Sequence, residues 1–189
     1  MKSTVLGIRS RISEIRKALD NKMFISALSL SLTIPDICGK LENISGNDKE
    51  KYIKWFDNNV ASQYVPEIVI EDDDLKMGEK RSLTGIRCYG LRCAVLHSGN
   101  EKLDEKHMDL DNNYDYEVGS YKLVLFDDPE DEMLYLSGND AEKVYKIIFY
   151  LNIRKFCERI CLAAEKTVSN LSMEEGEKYS IELLQYEHR

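Results

Sequence analysis

Residues 3–19 read STVLGIRSRISEIRKAL and form the first stretch of the chain with helical periodicity. Its apolar residues recur at steps of three and four, at Val5, Ile8, Ile12, Ile15 and Leu19. Such spacing places them on one face of an amphipathic helix. The sequence therefore predicts a first helix over 3–19, whose apolar face needs other helices to cover it.

Three further stretches before residue 100 have helical periodicity. Residues 23–41 are apolar or small nearly all round their first turns, which predicts a deeply buried helix that Pro35 kinks or breaks. Residues 48–64 predict a third helix, and residues 78–96 predict a fourth that stops at Ser98-Gly99-Asn100. The third helix has an apolar face formed by Tyr52, Trp55, Phe56 and Val60.

The second half of the chain is more mixed. Residues 101–119 are polar and aperiodic, as in a surface loop or lid. Residues 121–126 and 133–136 are apolar runs separated by Asp-Asp-Pro, which predicts a β-hairpin. Residues 140–170 then show the longest helical pattern, whereas the tail at 173–189 predicts no particular structure.

Length and composition indicate a single globular domain. The 189 residues are 43% hydrophobic and 32% charged, which is too apolar for a disordered chain. We therefore expect one mainly α domain over 1–189, a four- to five-helix bundle with a loop and a small β-hairpin inserted at about 100–137. Without a membrane-length apolar run or a signal peptide, we expect a cytoplasmic protein that does not enter the membrane.

The charge of the chain is unevenly distributed. A net charge of −8 argues against a protein that holds nucleic acid by a broad basic surface. Residues 76–97 nevertheless carry five basic residues and one acidic residue, a local net charge of +4. This stretch is the candidate for a local basic cleft.

The five cysteines indicate neither a disulfide framework nor a zinc site. Their number is odd, and none forms a CxxC pair, whereas zinc ligands usually come in closely spaced pairs. Asp109, Asp111, Asn113 and Asp115 alternate like the start of a calcium loop, but Tyr114 stands where that loop needs glycine. We therefore expect no metal and no cofactor.

The basic stretch contains the motif of greatest functional interest. Residues 89–99 read YGLRCAVLHSG, so Arg92 and His97 are separated by four residues at the end of the predicted fourth helix. This arrangement resembles the HEPN superfamily, whose signature is an Arg, a spacer of four to six residues and a His near the end of a helix in an all-α bundle. The resemblance covers residues 3–100 and 139–170 as a helix pattern, and about eleven residues as a motif.

The resemblance implies an endoribonuclease of a toxin or phage-defence type that works without a metal. His97 would be the general base that activates the 2′-hydroxyl, and Arg92 would neutralise the phosphorane, leaving a 2′,3′-cyclic phosphate. Arg87 and Arg81 would extend the positive potential at the mouth of the cleft. The family also implies a homodimer with a composite site in its cleft, together with an antitoxin or sensor protein that restrains the RNase.

Geometry constrains how the two motif residues can cooperate. On a straight α-helix, five residues separate two side chains by about 140° around the axis and about 7.5 Å along it. Either the helix unwinds before His97, or two copies of the motif face each other across a dimer. Asp36 could support the cleft from the second helix, or it could simply cap the helix that restarts after Pro35.

Other interpretations of the same residues remain open. His97 could be a core histidine that caps its helix, because a helical wheel places it on the apolar side. Cys93 stands where catalytic members commonly have a polar residue, often Asn, which favours a non-catalytic HEPN-like module that binds a partner protein. A metal-dependent enzyme using the acidic cluster at 109–115 is a third possibility.

Overall fold

The computed structural model describes residues 2–64, 68–69, 83–98, 117–126, 133–139, 144–170 and 181–185. This part of the chain is mainly helical, as predicted. Its α-helices are α1 (Ile8–Asp20), α2 (Phe24–Ser31), α3 (Ile34–Leu41), α4 (Asp48–Asn59), α5 (Gly85–Cys93) and α6 (Ile153–Ser169). A 3-10 turn follows α4 at Ala61–Gln63, and a π-helical turn follows α5 at Ala94–Ser98.

The first helix begins later than its apolar spacing predicts. Lys2–Leu6 forms a strand, β1, which pairs antiparallel with Ile181–Gln185, β6. Gly7, in an extended conformation, precedes the first turn of α1. The predicted helix is therefore wrong for its first residues, because a strand partner from the far end of the chain outweighs local periodicity.

The other three predicted helices are shorter than their patterns. The apolar stretch at 23–41 divides into α2 and α3, and Pro35 lies in the first turn of α3, so the predicted break is confirmed. Helix α4 begins at a capping box formed by Asn47 and Glu50. Helix α5 begins at Gly85, whereas the start of the predicted helix, at 78–82, lies outside the described residues.

A four-stranded sheet replaces the predicted hairpin. Its strands are β2 (Ile68–Val69), β3 (Glu117–Phe126), β4 (Met133–Asn139) and β5 (Val144–Asn152), in the order β2-β4-β5-β3. Strands β3 and β4 both pair with β5, parallel and antiparallel respectively, so the predicted pairing of 121–126 with 133–136 is wrong. The two strands also extend beyond the predicted runs.

The long helix predicted over 140–170 is wrong at residues 144–152, whereas residues 140–143 lie outside the described residues. Residues 144–152 form β5, and α6 begins only at Ile153. The sequence of β5, VYKIIFYLN, is rich in β-branched and aromatic residues, which suit a strand with neighbours on both edges. Its apolar spacing fits a helix as well, so periodicity alone could not decide between them.

The core lies between the helices. Helix α6 packs against α1, α2 and α3, while α4 packs against α3 and α5. The predicted apolar face of α4 is confirmed, because Tyr52, Trp55, Phe56 and Val60 are all fully buried. The indole nitrogen of Trp55 donates to Glu42 Oε1 at 3.1 Å and to Thr167 Oγ1 at 3.2 Å, so even its polar atom is satisfied in this core.

One apolar stretch in the described residues, Phe24–Leu41, has the length and composition of a membrane span. Half of it is buried inside the fold. The stretch is also divided at Leu32–Thr33, between α2 and α3, both of which pack against α6. It therefore forms part of the helical core.

Candidate functional site

Two glycines allow α3 and α5 to approach α4 closely. A Cβ added at Gly39 would lie 2.9 Å from the carbonyl oxygen of Lys51, and a Cβ at Gly85 would overlap the carbonyl oxygen of Ile53. The amide of Gly85 also donates to Asp57 Oδ1 at 2.7 Å. These contacts fix α3 and α5 on α4, so that the end of α5 faces the first turn of α3.

Asp36 and Arg92 join α3 to α5. Arg92 Nε donates to Asp36 Oδ2 at 2.8 Å, and the two side chains are only 21% and 22% exposed. Burial alone would lower the pKa of Arg92, but the charge and hydrogen bond of Asp36 hold it above its usual value. Because Asp36 lies inside the first turn of α3 and no side chain caps that helix, the prediction that Asp36 caps it is wrong, whereas its supporting role in a cleft stays a prediction.

The π-helical turn brings His97 back to Arg92. The distance from Arg92 Nη1 to His97 Nε2 is 3.3 Å, although five residues separate them in sequence. A π-turn bonds residues five apart, and such turns are frequent at functional sites. Of the two arrangements that geometry allows, the helix has therefore unwound before His97. The dimer stays a prediction.

His97 is exposed, so the core-histidine interpretation is wrong. The hydrogen bond to Arg92 also defines which nitrogen of the His97 ring is the acceptor, because a guanidinium has donors and no acceptor. Nε2 must accept, which places the single proton of a neutral ring on Nδ1. The lone pair of Nε2 is therefore occupied by Arg92 in this arrangement.

Tyr89 forms one wall of the site. The guanidinium of Arg92 lies 5.7 Å from the centroid of its ring, and Lys49 Nζ lies 5.6 Å from the same centroid. Tyr89 packs edge-on against the buried Tyr52, with the ring centroids 5.3 Å apart. Sequence reasoning missed both Tyr89 and Lys49. The step of three residues from Tyr89 to Arg92 was a usable signal, whereas Lys49 belongs to a different helix.

The remaining predicted site residues are less closely associated with Arg92 and His97. Cys93 is half-buried beside Tyr89. The pKa of Tyr89 is raised mainly by the burial of its hydroxyl and secondly by this thiol. Arg87 is half-buried on α5, five residues before Arg92 and hence on another side of that helix. Arg81 and the acidic alternation at 109–115 lie outside the described residues.

A second pair of groups lies beneath the site. The hydroxyl of Tyr52 and the thiol of Cys88 are 3.3 Å apart and fully buried. Burial raises the pKa of Cys88 to about 12 and also raises the pKa of Tyr52 well above its usual value. Both groups therefore stay neutral near pH 7 and support the site by packing.

No family model matches this chain, and no curated protein or solved structure matches it. The resemblance to the HEPN superfamily therefore stays a prediction that depends on the sequence motif, since residues 144–152 of the helix pattern that accompanied it form β5.

Proposed function

We propose that this chain is a HEPN-type endoribonuclease that cuts RNA without a metal. The observation that carries the proposal is the 3.3 Å contact between Arg92 and His97. In this contact, a guanidinium anchored on Asp36 meets an exposed imidazole. A base beside a fixed cation is what cleavage by the neighbouring 2′-hydroxyl requires. The remaining N–H groups of Arg92 suit two oxygens of one phosphate.

The contact between the two residues suggests how substrate binding starts the reaction. A phosphate that takes the Nη groups of Arg92 removes the donor from His97 Nε2, which then becomes free to act as a base. His97 takes the proton of the 2′-hydroxyl, and the 2′-oxygen attacks phosphorus. The bond from phosphorus to the 5′-oxygen breaks and the leaving oxygen takes a proton from water. The hydroxide that this leaves takes the proton held by His97, which restores the base, and a 2′,3′-cyclic phosphate and a 5′-hydroxyl remain.

The proposal includes a setting for this activity. The chain is a single domain, a helical bundle with strands β3, β4 and β5 inserted between the motif and the last long helix, and it works in the cytoplasm as a homodimer. Because a freely active RNase would harm its host, an antitoxin or sensor protein restrains it. Its role is that of a toxin or phage-defence protein.

Cleavage of mixed tRNA and unstructured RNA in the presence of a chelator tests the proposal. The wild type should leave 2′,3′-cyclic phosphate ends, whereas Arg92→Ala and His97→Ala should leave the RNA intact. His97 is exposed, so its variant should keep the wild-type melting temperature. Activity that is the same in all three proteins would indicate a contaminating nuclease, and activity that the chelator abolishes would indicate a metal-dependent enzyme.

Two features favour a second candidate function, a non-catalytic module that binds a partner protein. The guanidinium of Arg92 is already bonded to Asp36 and His97, as in a cluster that only stabilises the fold. Cys93, next to it, cannot bind a phosphate as an amide would. This alternative predicts an inert wild type whose Arg92→Ala variant melts at a lower temperature.

A further inference from the structure

We infer that Lys49 is a second phosphate-binding residue of this site, holding the RNA backbone beside the phosphate that Arg92 binds. The inference depends on the proposed function, since it assigns the substrate's contact with α4. It identifies the ligand as the sugar-phosphate backbone of single-stranded RNA.

The first reason is the position of Lys49 relative to Arg92. Both cations contact the ring of Tyr89, with Lys49 Nζ 5.6 Å and Arg92 Cζ 5.7 Å from its centroid. Their charges are therefore separated by at most 11.3 Å, the sum of these two distances. That is near enough for the two residues to bind phosphates of one short stretch of a strand.

The second reason is that Lys49 is not neutralised locally. Its acidic neighbours are engaged elsewhere: Asp48 pairs with Lys40 at 3.4 Å, and Glu50 closes the capping box with Asn47. Within the part of the chain that the structure describes, the ammonium of Lys49 contacts the ring of Tyr89 and no carboxylate. An exposed, unneutralised ammonium beside a second cation favours an anion between or beside them.

The arrangement of Tyr89 indicates a phosphate and not a stacked base. The ring is fixed by its edge-on contact with the buried Tyr52, so it holds its two cations in a defined place. With Lys49 and Arg92 both within 6 Å of its centroid, the ring is engaged by cations and not open as a stacking platform. The ligand that this surface suits is therefore anionic.

Binding of uncleavable RNA measured across a range of salt concentrations tests the inference. The probe is single-stranded RNA with 2′-fluoro sugars, which lacks the attacking hydroxyl, and the proteins are wild type, Lys49→Gln, Lys49→Arg and Lys166→Gln. Lys166 is an exposed lysine of α6 and serves as the control for net charge. Lys49→Gln should weaken binding several-fold and reduce the slope of log K against log salt by about 0.7, the contribution of one phosphate contact on a single strand. Lys49→Arg should restore both, and Lys166→Gln should change neither.

Two outcomes would overturn the inference about Lys49 alone. In the first, Lys49→Gln keeps the wild-type affinity and slope while Arg92→Ala weakens binding. In the second, Lys166→Gln weakens binding as much as Lys49→Gln does, so only net charge matters. If the wild type does not bind the probe and does not cut unmodified RNA, the proposed function fails, and the assignment of Lys49 fails with it.

Discussion

Asp36 and Arg92 lie 56 residues apart in the sequence, and their side chains meet at 2.8 Å at the edge of the helical core. This pair sets the direction of the guanidinium. With Nε held by Asp36, the Nη groups of Arg92 are turned toward His97. The candidate site therefore depends on a contact between α3 and α5 as much as on the motif itself.

Replacing Asp36 by Asn should impair both stability and cleavage. The amide keeps the shape and one acceptor but loses the charge, so we expect the free energy of unfolding to fall by about 1–2 kcal/mol. Because a displaced guanidinium would no longer meet the phosphate, cleavage should fall about 100-fold. Urea denaturation and a cleavage assay measure the two effects.

Asp48→Asn is the matched control for Asp36→Asn. Asp48 pairs with Lys40 at 3.4 Å, with side chains 71% and 36% exposed, so its loss should cost about 0.5 kcal/mol or less. Equal effects of the two substitutions would show that the Asp36–Arg92 pair has no special role.

His97 should carry its proton on Nδ1 when the ring is neutral. Arg92 can only donate to Nε2, so this nitrogen must be the acceptor. Two-bond nitrogen–proton NMR correlations distinguish the two tautomers. Arg92→Ala should release this constraint and change the pattern, and a wild-type His97 protonated on Nε2 would contradict the arrangement described above.

Gly85→Ala should destabilise the fold and misplace Arg92. The new Cβ would overlap the carbonyl oxygen of Ile53, so α5 would have to move away from α4. We expect a loss of about 1–3 kcal/mol in the free energy of unfolding. Asn58→Ala, at an exposed position of α4, is the control and should be nearly neutral. A Gly85→Ala protein as stable as wild type would mean that the two helices can separate without cost.

Cys93 should be the first thiol that reacts with iodoacetamide in the folded protein. It is partly exposed, whereas the other four cysteines are buried. Burial raises the pKa values of Cys88, Cys157 and Cys161 to about 12, so these thiols form little thiolate. Mass spectrometry should find one rapidly labelled cysteine, and none in Cys93→Ser. Rapid labelling of Cys88 would show that the core opens beneath the site.

The protein should lose stability as the pH rises above about 8.5, the ordinary pKa of a thiol. Burial raises the pKa of Cys88 to about 12, so the unfolded chain releases this proton at a lower pH than the folded one. The stabilisation is complete below the unfolded pKa and is lost as the pH approaches the folded value. Melting temperatures between pH 7 and pH 11 should therefore fall, and Cys88→Ala should reduce the fall. A melting temperature that stays constant over this pH range would contradict the burial of Cys88.

Local patterns in the sequence determined the parts of the fold that local physics controls. The apolar face of α4, the break near Pro35 and the position of Arg92 and His97 at one helix end could all be predicted, because each depends on residues a few positions apart. The π-turn was one of two geometries that the spacing allowed, and nothing in the sequence chose between them.

The remaining features of the fold depend on contacts between distant segments. The pairing of β1 with β6 and the placement of β5 between β3 and β4 join distant segments, so local periodicity gave no information on them. The same holds for the site, where Lys49 of α4 meets the Tyr89 ring beside Arg92 of α5. Periodicity reports which side of a segment is buried, whereas the partner of that side depends on how the whole chain packs.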